Sequence, residues 1–346
     1  MIFDSESVFE ENVITVLKQH GWKDGVLCYP TERDLLDNWK DILYRNNNDI
    51  DRLGKYPLTD GEMTQIIEQI ETLRTPLALN SFVNGRTVSI TRDNKEDVAH
   101  FGKEVSLYIY DRKEIAGGKS TYQIAQQPVY PAKNKMLNSR RGDLVLLING
   151  MPLIHIELKK SGIPVSQATN QIEKYAHEGV FTGLFRLVQI FVAMNPDDAV
   201  YFANPGVDKF NPSYYFHWAD YNNEPICGGQ NPGKDEWKLF IGGTSGTAGL
   251  LSIPMAHQLI GFYTIADSAD GCLKVLRSYQ YIAANAISDV VRKCDWEQRP
   301  ATPGRPGGYV WHTTGSGKTM TSFKSAQLIA DSHDADKVVF LMDASS

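Results

Sequence analysis

The stretch GDLVLLINGMPLIHIELKKSGIPVSQATNQIEKY, residues 142–175, decides how the chain is read, because it spells strand, tight turn, strand and helix in succession. Asp143 opens the apolar run Leu144–Ile148, and Asn149-Gly150 is the dipeptide best able to take the positive φ angles of a two-residue hairpin turn. The chain therefore folds back on itself here. In the returning strand Leu153, His155, Glu157 and Lys159 alternate with Ile154, Ile156 and Leu158, so a period of two places the first set on one face. Past the breaker Gly162-Ile163-Pro164, a helix over Val165–His177 carries Gln171 and Tyr175 one turn apart on one face.

The hairpin sets Asp143 beside Glu157. Two carboxylates on neighbouring strands offer hard oxygen ligands suited to Mg²⁺, which activates water and offsets charge on a phosphate. Lys159 can hold the attacking water or stabilise charge that grows on phosphoryl oxygens. The pattern D…ExK recurs by chance, and a solvated strand face is the competing reading of Glu157 and Lys159. Against that reading, these charges interrupt one of the most apolar strand pairs in the chain, where a buried carboxylate and ammonium need partners or a metal.

Asp143, Glu157-Leu158-Lys159 and Gln171-x-x-x-Tyr175 together resemble the PD-(D/E)xK nuclease core in its RecB-like form, with Gly142 in place of the usual Pro. The resemblance implies an α/β fold, a restriction-endonuclease-like mixed sheet flanked by helices. It makes Asp143, Glu157, Lys159, Gln171 and Tyr175 catalytic, with Mg²⁺ on Asp143 and Glu157. It also implies a glutamate from the first helix beside the metal. Residues 5–21 form an amphipathic helix with Val8, Val13, Val16 and Leu17 in a stripe, and Glu10 matches that position as a further metal ligand. Local rules offer a second role for Glu10, as capping-box partner of Ser7.

The net charge of −6 argues against nucleic acid only if charge is uniform, and local patches set the field a phosphate meets. Lys133, Lys135, Arg140 and Arg141 precede Asp143 without an intervening acid and are expected to contact DNA, a solvated basic loop being the alternative. Four cysteines without CxxC spacing indicate neither a zinc site nor a disulfide framework. No run approaches the ~20 apolar residues of a membrane span, and a cytoplasmic protein without a membrane partner is expected. Residues 31–78 have helical spacing that reads as packing. Residues 82–130 alternate at strand period and are expected to form the sheet that Asp143 and Glu157 extend. LVQIFVAMN (187–195) reads as a buried strand, and the aromatics up to Trp218 as core. IGGTSGTAG (241–249) reads as a flexible linker, with a domain boundary close to residue 250.

A second motif lies at residues 309–330. Tyr309-Val310-Trp311 reads as a short strand, TTGSGKT (313–319) as a glycine-rich turn, and residues 320–330 as a helix. Gly315, Ser316 and Gly317 let backbone N–H groups turn inward around phosphates, Lys318 reaches the β and γ phosphates, and Thr319 can ligate Mg²⁺. Residues 338–342 are the expected second strand of a RecA-like fold. Nuclease core, linker and P-loop in this order, with WHTTGSGKT behind GGY, resemble the motor and cleavage (R) subunit of type I restriction-modification enzymes. The resemblance implies a nuclease domain over 1–250, a helical lead-in over 251–308 and the start of a superfamily 2 ATPase over 309–346. It implies ATP as cofactor, with Gln280 of the R-x-Y-Q segment reading adenine. It further implies double-stranded DNA as substrate, ATP-driven translocation in the full-length protein, and methyltransferase and specificity subunits as partners. No DEAD-type segment follows Thr319, so the P-loop is expected to bind nucleotide without useful turnover. Two other classes stay open: a stand-alone repair or resolvase-type nuclease with a regulatory P-loop, and a non-catalytic assembly module.

Overall fold

The two apolar runs flanking Asn149-Gly150 form the centre of a six-stranded mixed sheet in the computed structural model, which describes residues 2–115, 117–131, 140–207, 209–231, 233–269, 271–293 and 308–341. The chain divides into two units, one of residues 1–218 and 225–275 and one of residues 219–224 and 276–346. The first contains α1 (Glu6–Gln19), β1 (Val26–Cys28), α2 (Glu32–Asn46), α3 (Asp60–Thr72), α4 (Pro76–Asn84), β2 (Thr87–Thr91), β3 (Glu104–Tyr108), β4 (Tyr122–Gln126), β5 (Leu144–Ile148) and β6 (Met151–Leu158). It continues with α5 (Val165–His177), β7 (Ile190–Met194), β8 (Ala199–Ala203), α6 (Glu236–Gly242), α7 (Ile253–Gly261), β9 (Thr264–Asp267) and β10 (Cys272–Val275). The second holds α8 (Ser278–Lys293) and α9 (Lys318–Ser332).

The main sheet runs β1-β4-β5-β6-β7-β8, with β1/β4 and β6/β7 parallel and the other neighbours antiparallel. Every residue of β5, β6, β7 and β8 is buried, and β5, β7 and β8 accordingly read as continuous apolar runs, while β6 carries His155 and Glu157 among its apolar residues. One face is closed by α5, whose Ala168 and Ile172 pack with Phe191, Ala193, Val200 and Phe202. The aromatics after β8 are core as expected: Phe202 stacks on Tyr215 with centroids 4.1 Å apart, and Trp218 is buried.

The hairpin turn carries φ of 52° at Asn149 and 82° at Gly150, the pair of positive angles that matches the twist of the strands. Gly150 is also required by space, since a Cβ would lie 2.9 Å from the Trp39 Cα. Leu146 pairs with Ile154 but Leu147 with Pro152, so Leu153 is an extra residue in a bulge. Pro152, which cannot donate to a ladder, lies outside the segment Ile154–Leu158 that pairs with β7.

Several expectations are corrected. The strands β2 and β3 do not extend the main sheet. They form a separate antiparallel pair whose alternating burial marks one packed and one wet face, and of residues 82–130 it is β4 that joins β5. The glycine-rich 241–249 segment is a packed turn rather than a linker: a Cβ on Gly249 would sit 2.3 Å from the Ile241 carbonyl oxygen, and Gly243 bridges to Ala248. The first unit accordingly continues past residue 250 to Val275. Trp22 donates to the Leu251 carbonyl at 2.7 Å, and Tyr122 Oη meets His257 Nδ1 at 2.8 Å. Residues 309–311 and 338–341 take up no strand pairing among the described residues; a strand without a multi-stranded sheet has no stable ladder. Residue 342 and Cys294 lie outside the described residues. No described helix is long and apolar enough to cross a membrane.

Candidate nuclease site and P-loop

The register of β5 on β6 pairs Val145 with His155 and Leu144 with Ile156. One step further, Asp143 stands opposite Glu157. Asp143 Oδ2 accepts the Leu158 N–H at 2.7 Å. Glu157 is fully buried, and no N–H or O–H group meets either of its oxygens at hydrogen-bond geometry. His155 Nε2 comes within 3.0 Å of Glu157 Oε1 but off the angle for a bond. The Asp143 carboxyl can donate to Glu157 only when it carries a proton. Burial, and then the charge of Glu157, holds Asp143 well above the usual carboxylate range. Burial pushes Glu157 up to about 8, against the opposing charge of Lys159. Lys159 is itself buried; its Nζ donates to the Leu158 carbonyl at 2.9 Å and lies 3.5 Å from Glu6 Oε1. Two facing acids, one of them with both oxygens buried and unmet, are costly alone and fit a divalent cation that accepts oxygen ligands.

Among the described residues no group of three His, Cys, Asp or Glu side chains is placed to hold a metal, and the Glu10 carboxylate is engaged by two amides. Its Oε1 accepts from Gln126 Nε2 at 2.6 Å, and Gln127 Nε2 spans Oε1 and Oε2 at 3.3 and 3.2 Å. Burial raises its pKa, with a contribution from the Asp143 charge. The capping role is also corrected. Ser5, not Ser7, is the N-cap of α1, taking the Val8 N–H at 3.3 Å, so Glu10 is free to turn toward the sheet.

Gln171 and Tyr175 lie on one face as expected, yet they reach the start of β5 rather than Lys159. Gln171 Nε2 donates to Tyr175 Oη at 2.8 Å, and Tyr175 donates to the Arg141 carbonyl at 2.8 Å. A second clasp joins the same segments: the Arg140 guanidinium donates twice to Glu178, at 2.8 Å each, and holds that carboxyl below its ordinary range. Arg140 is thus engaged within the protein. Arg141 is exposed, its guanidinium 5.7 Å over the Tyr29 ring. Lys133 and Lys135 lie outside the described residues.

Sequence reasoning missed Tyr130 and gave His155 no role. Tyr130 Oη lies 2.8 Å from His155 Nδ1, and burial lowers His155 to about 4, leaving it neutral. These rings explain Gly142. A Cβ there would lie 2.6 Å from Tyr130 Oη and 2.9 Å from His155 Cε1, so the proline usual at this place does not fit.

In the second unit Gly315 and Gly317 carry φ of 79° and 80°, and Lys318 opens α9 directly behind them. Lys318 and Thr319 are exposed on the first helical turn, and Ser316 Oγ donates to the Thr313 carbonyl at 2.7 Å. Gln280 is held against this loop: its Oε1 accepts the Arg277 N–H at 2.9 Å, and its Nε2 donates to the Ser316 and Gly317 carbonyls at 3.2 Å each. Tyr279 adds a hydrogen bond to the Ser316 carbonyl at 2.8 Å.

Comparison with known proteins finds a family for each part of the chain. Residues 4–210 match the family described as type I restriction enzyme R protein N terminus, and residues 279–346 match the SWI2/SNF2 ATPase family. Similar proteins include type I restriction enzyme endonuclease subunits of Staphylococcus saprophyticus and of Staphylococcus aureus strain MSSA476. Each is 31% identical over 99% of this chain, and the chain spans 32% of each. The endonuclease subunit of the type I restriction enzyme EcoprrI of Escherichia coli is 26% identical over 90% of both. A match running from residue 4 to residue 210, joined to relatives of this identity over nearly the whole chain, places the protein in the type I restriction enzyme R protein N-terminal family.

Proposed function

We propose that the first unit is a PD-(D/E)xK nuclease domain that cuts double-stranded DNA with Mg²⁺ as part of a type I restriction enzyme, and that the second begins an ATP-driven translocase. The observation that carries this reading is the facing pair Asp143 and Glu157, with both buried Glu157 oxygens lacking donors and the buried Lys159 just beyond the end of the same strand. Asp143 and Glu157 would hold the metal, which when bound supplies an activated water and charge neutralisation at phosphate. Lys159, a buried cation beside the pair, stabilises negative charge on the phosphoryl oxygens. Tyr175 and Arg140 keep the start of β5 against α5 and so hold Asp143 in register with Glu157. Arg141, exposed beside the site, is the described member of the basic run open to a DNA phosphate.

In the second unit, Gly315, Ser316, Gly317, Lys318 and Thr319 would take the phosphates of ATP with its Mg²⁺, and Gln280 the adenine. Sustained turnover would in addition need a Walker B carboxylate and an arginine supplied across a lobe interface. Methyltransferase and specificity subunits are the partners this assignment calls for, and the cytoplasm is its place of action. The deciding test is DNA cleavage by the assembled enzyme with and without Mg²⁺, wild type against Glu157→Ala. Metal-dependent cutting lost in the variant supports the assignment, and cutting that survives the substitution removes it. Metal-dependent cutting by the chain without partners would favour the stand-alone reading instead.

A further inference from the structure

Beside the facing acids, two residues that are not glycine hold a left-handed backbone: Tyr29 with φ 53° and Gln127 with φ 47°. β1 and β4 are parallel with Cys28 opposite Gln126, so the two kinks fall side by side. Pairing continues just beyond them, where Thr31 bridges to Val129 and Val129 to Arg141. The kinks therefore lie at the level of Gly142 and Asp143, within an otherwise unchanged register. A left-handed backbone is unfavourable for a residue with a side chain and persists only where its surroundings hold it.

The Gln127 N–H continues the β4/β5 ladder, donating to the Asp143 carbonyl at 2.8 Å. The Gln127 side chain converges with that of Gln126 on one carboxylate, that of Glu10, with Gln126 Nε2 at 2.6 Å and Gln127 Nε2 at 3.2 and 3.3 Å. In a regular strand, consecutive side chains face opposite sides of the sheet and could not meet on one group. Left-handed geometry at residue 127 is what makes the shared grip possible.

We propose that Gln127 is a positioning residue of the nuclease site: its backbone fixes the Asp143 main chain, and its amide, with that of Gln126, holds Glu10 as an outer carboxylate facing Asp143. The inference rests on the reading of Asp143 and Glu157 as metal ligands. Glu10 so held would act on a metal on that pair from outside its two direct ligands. Partners that orient a metal site from outside typically matter by about 10- to 100-fold in affinity or activity.

The test is Mg²⁺ titration by calorimetry on the whole chain, with thermal melting alongside. Glycine adopts the left-handed region without strain, so Gln127→Gly is expected to melt at or above the wild-type temperature while its Mg²⁺ affinity falls about 10-fold or more. Asparagine tolerates the same backbone and keeps an amide, so Gln127→Asn is expected to recover part of the loss. A Gln127→Gly chain that binds Mg²⁺ like wild type, or that melts lower, overturns the positioning role. Glu157→Ala is titrated in parallel. A defect there beside an unaffected Gln127→Gly overturns this inference alone, whereas unchanged binding by Glu157→Ala overturns the metal-site reading and the inference with it.

Discussion

The proposed nuclease site and the proposed P-loop are built by opposite means. Around Asp143 and Glu157 the working groups are side chains, buried, drawn from α1, the ends of β4, β5 and β6, and α5, and placed by tertiary packing. In the P-loop the working groups are backbone amides of consecutive residues, with Lys318 and Thr319 exposed on the helix that follows. A site of the first kind stores electrostatic cost in the fold; one of the second kind stores almost none. Substitutions at the first should therefore move stability and activity together with pH, and those at the second should move ligand binding alone.

The largest effect expected is on cleavage. Asp143→Ala or Glu157→Ala in the assembled enzyme should reduce DNA cutting to background while the fold persists, because each removes one of the two facing ligands. Circular dichroism and a cleavage assay together check this; either variant cutting at wild-type rate would break the contrast at its root.

Next comes pH. In the metal-free chain Glu157 is held near 8 against an ordinary 4.5, so folding retains a proton between those values. Its contribution is fully present below pH 4.5 and is lost as pH rises through 8. Asp143, also raised, has the same sign. His155 runs the other way, since its folded value of about 4 lies below the ordinary 6.5 and its contribution is lost as pH falls through that window. Between pH 6.5 and 8 only the acids act. Stability should decline there by roughly 1 kcal/mol or more, because holding one proton that the unfolded chain has released costs about 1.4 kcal/mol for each tenfold fall in proton activity. Denaturant melts of wild type and Glu157→Gln across this range test it: the glutamine variant should show a flatter profile, and so should wild type with saturating Mg²⁺.

The same contrast governs what could be read from sequence. The hairpin was legible because Asn149-Gly150 and period-two alternation are local signals, and the helix Val165–His177 because Pro164 and helical spacing mark it. The P-loop was legible for the same reason, being one unbroken run of residues. The direction of Glu10 was not: capping rules point it back along α1, and only the side chains of Gln126 and Gln127, far away in sequence, draw it to the sheet. Nor was the reason for Gly142, which depends on Tyr130 and His155 meeting above it. The 241–249 segment misled because glycine serves flexibility and close packing equally well, and only the approach of Gly249 to the Ile241 carbonyl tells them apart.

A smaller effect sharpens the division between α5 and the catalytic pair. Tyr175→Phe removes two hydrogen bonds, the one donated to the Arg141 carbonyl and the one accepted from Gln171, and leaves a buried ring in place. A loss of about 1 kcal/mol in stability is expected, with cleavage lowered several-fold through a looser start of β5 and Mg²⁺ affinity little changed. If cleavage stays at wild type, the tyrosine is a core residue only.

The smallest effect expected on stability belongs to the P-loop. Lys318 is exposed, and its Nζ makes only a long contact, 3.4 Å, with the Thr313 carbonyl, so its removal leaves no buried group unpaired. Lys318→Ala should therefore change the unfolding free energy by no more than about 0.5 kcal/mol and leave the pH profile of the first unit unaltered. Nucleotide binding should nevertheless weaken markedly, because the ammonium is the one side-chain cation in the turn that can reach the outer phosphates. Gln280→Ala provides the internal comparison, since Gln280 is buried and its amide bonds to Ser316 and Gly317. Removing it should loosen the loop itself and lower both nucleotide affinity and the local stability of α8 on α9. Fluorescent-nucleotide titration with hydrogen exchange over residues 309–332 separates the two. If Lys318→Ala destabilises the unit as much as Gln280→Ala does, the P-loop depends on its side chains as the nuclease site does, and the distinction between a locally written and a tertiary site fails.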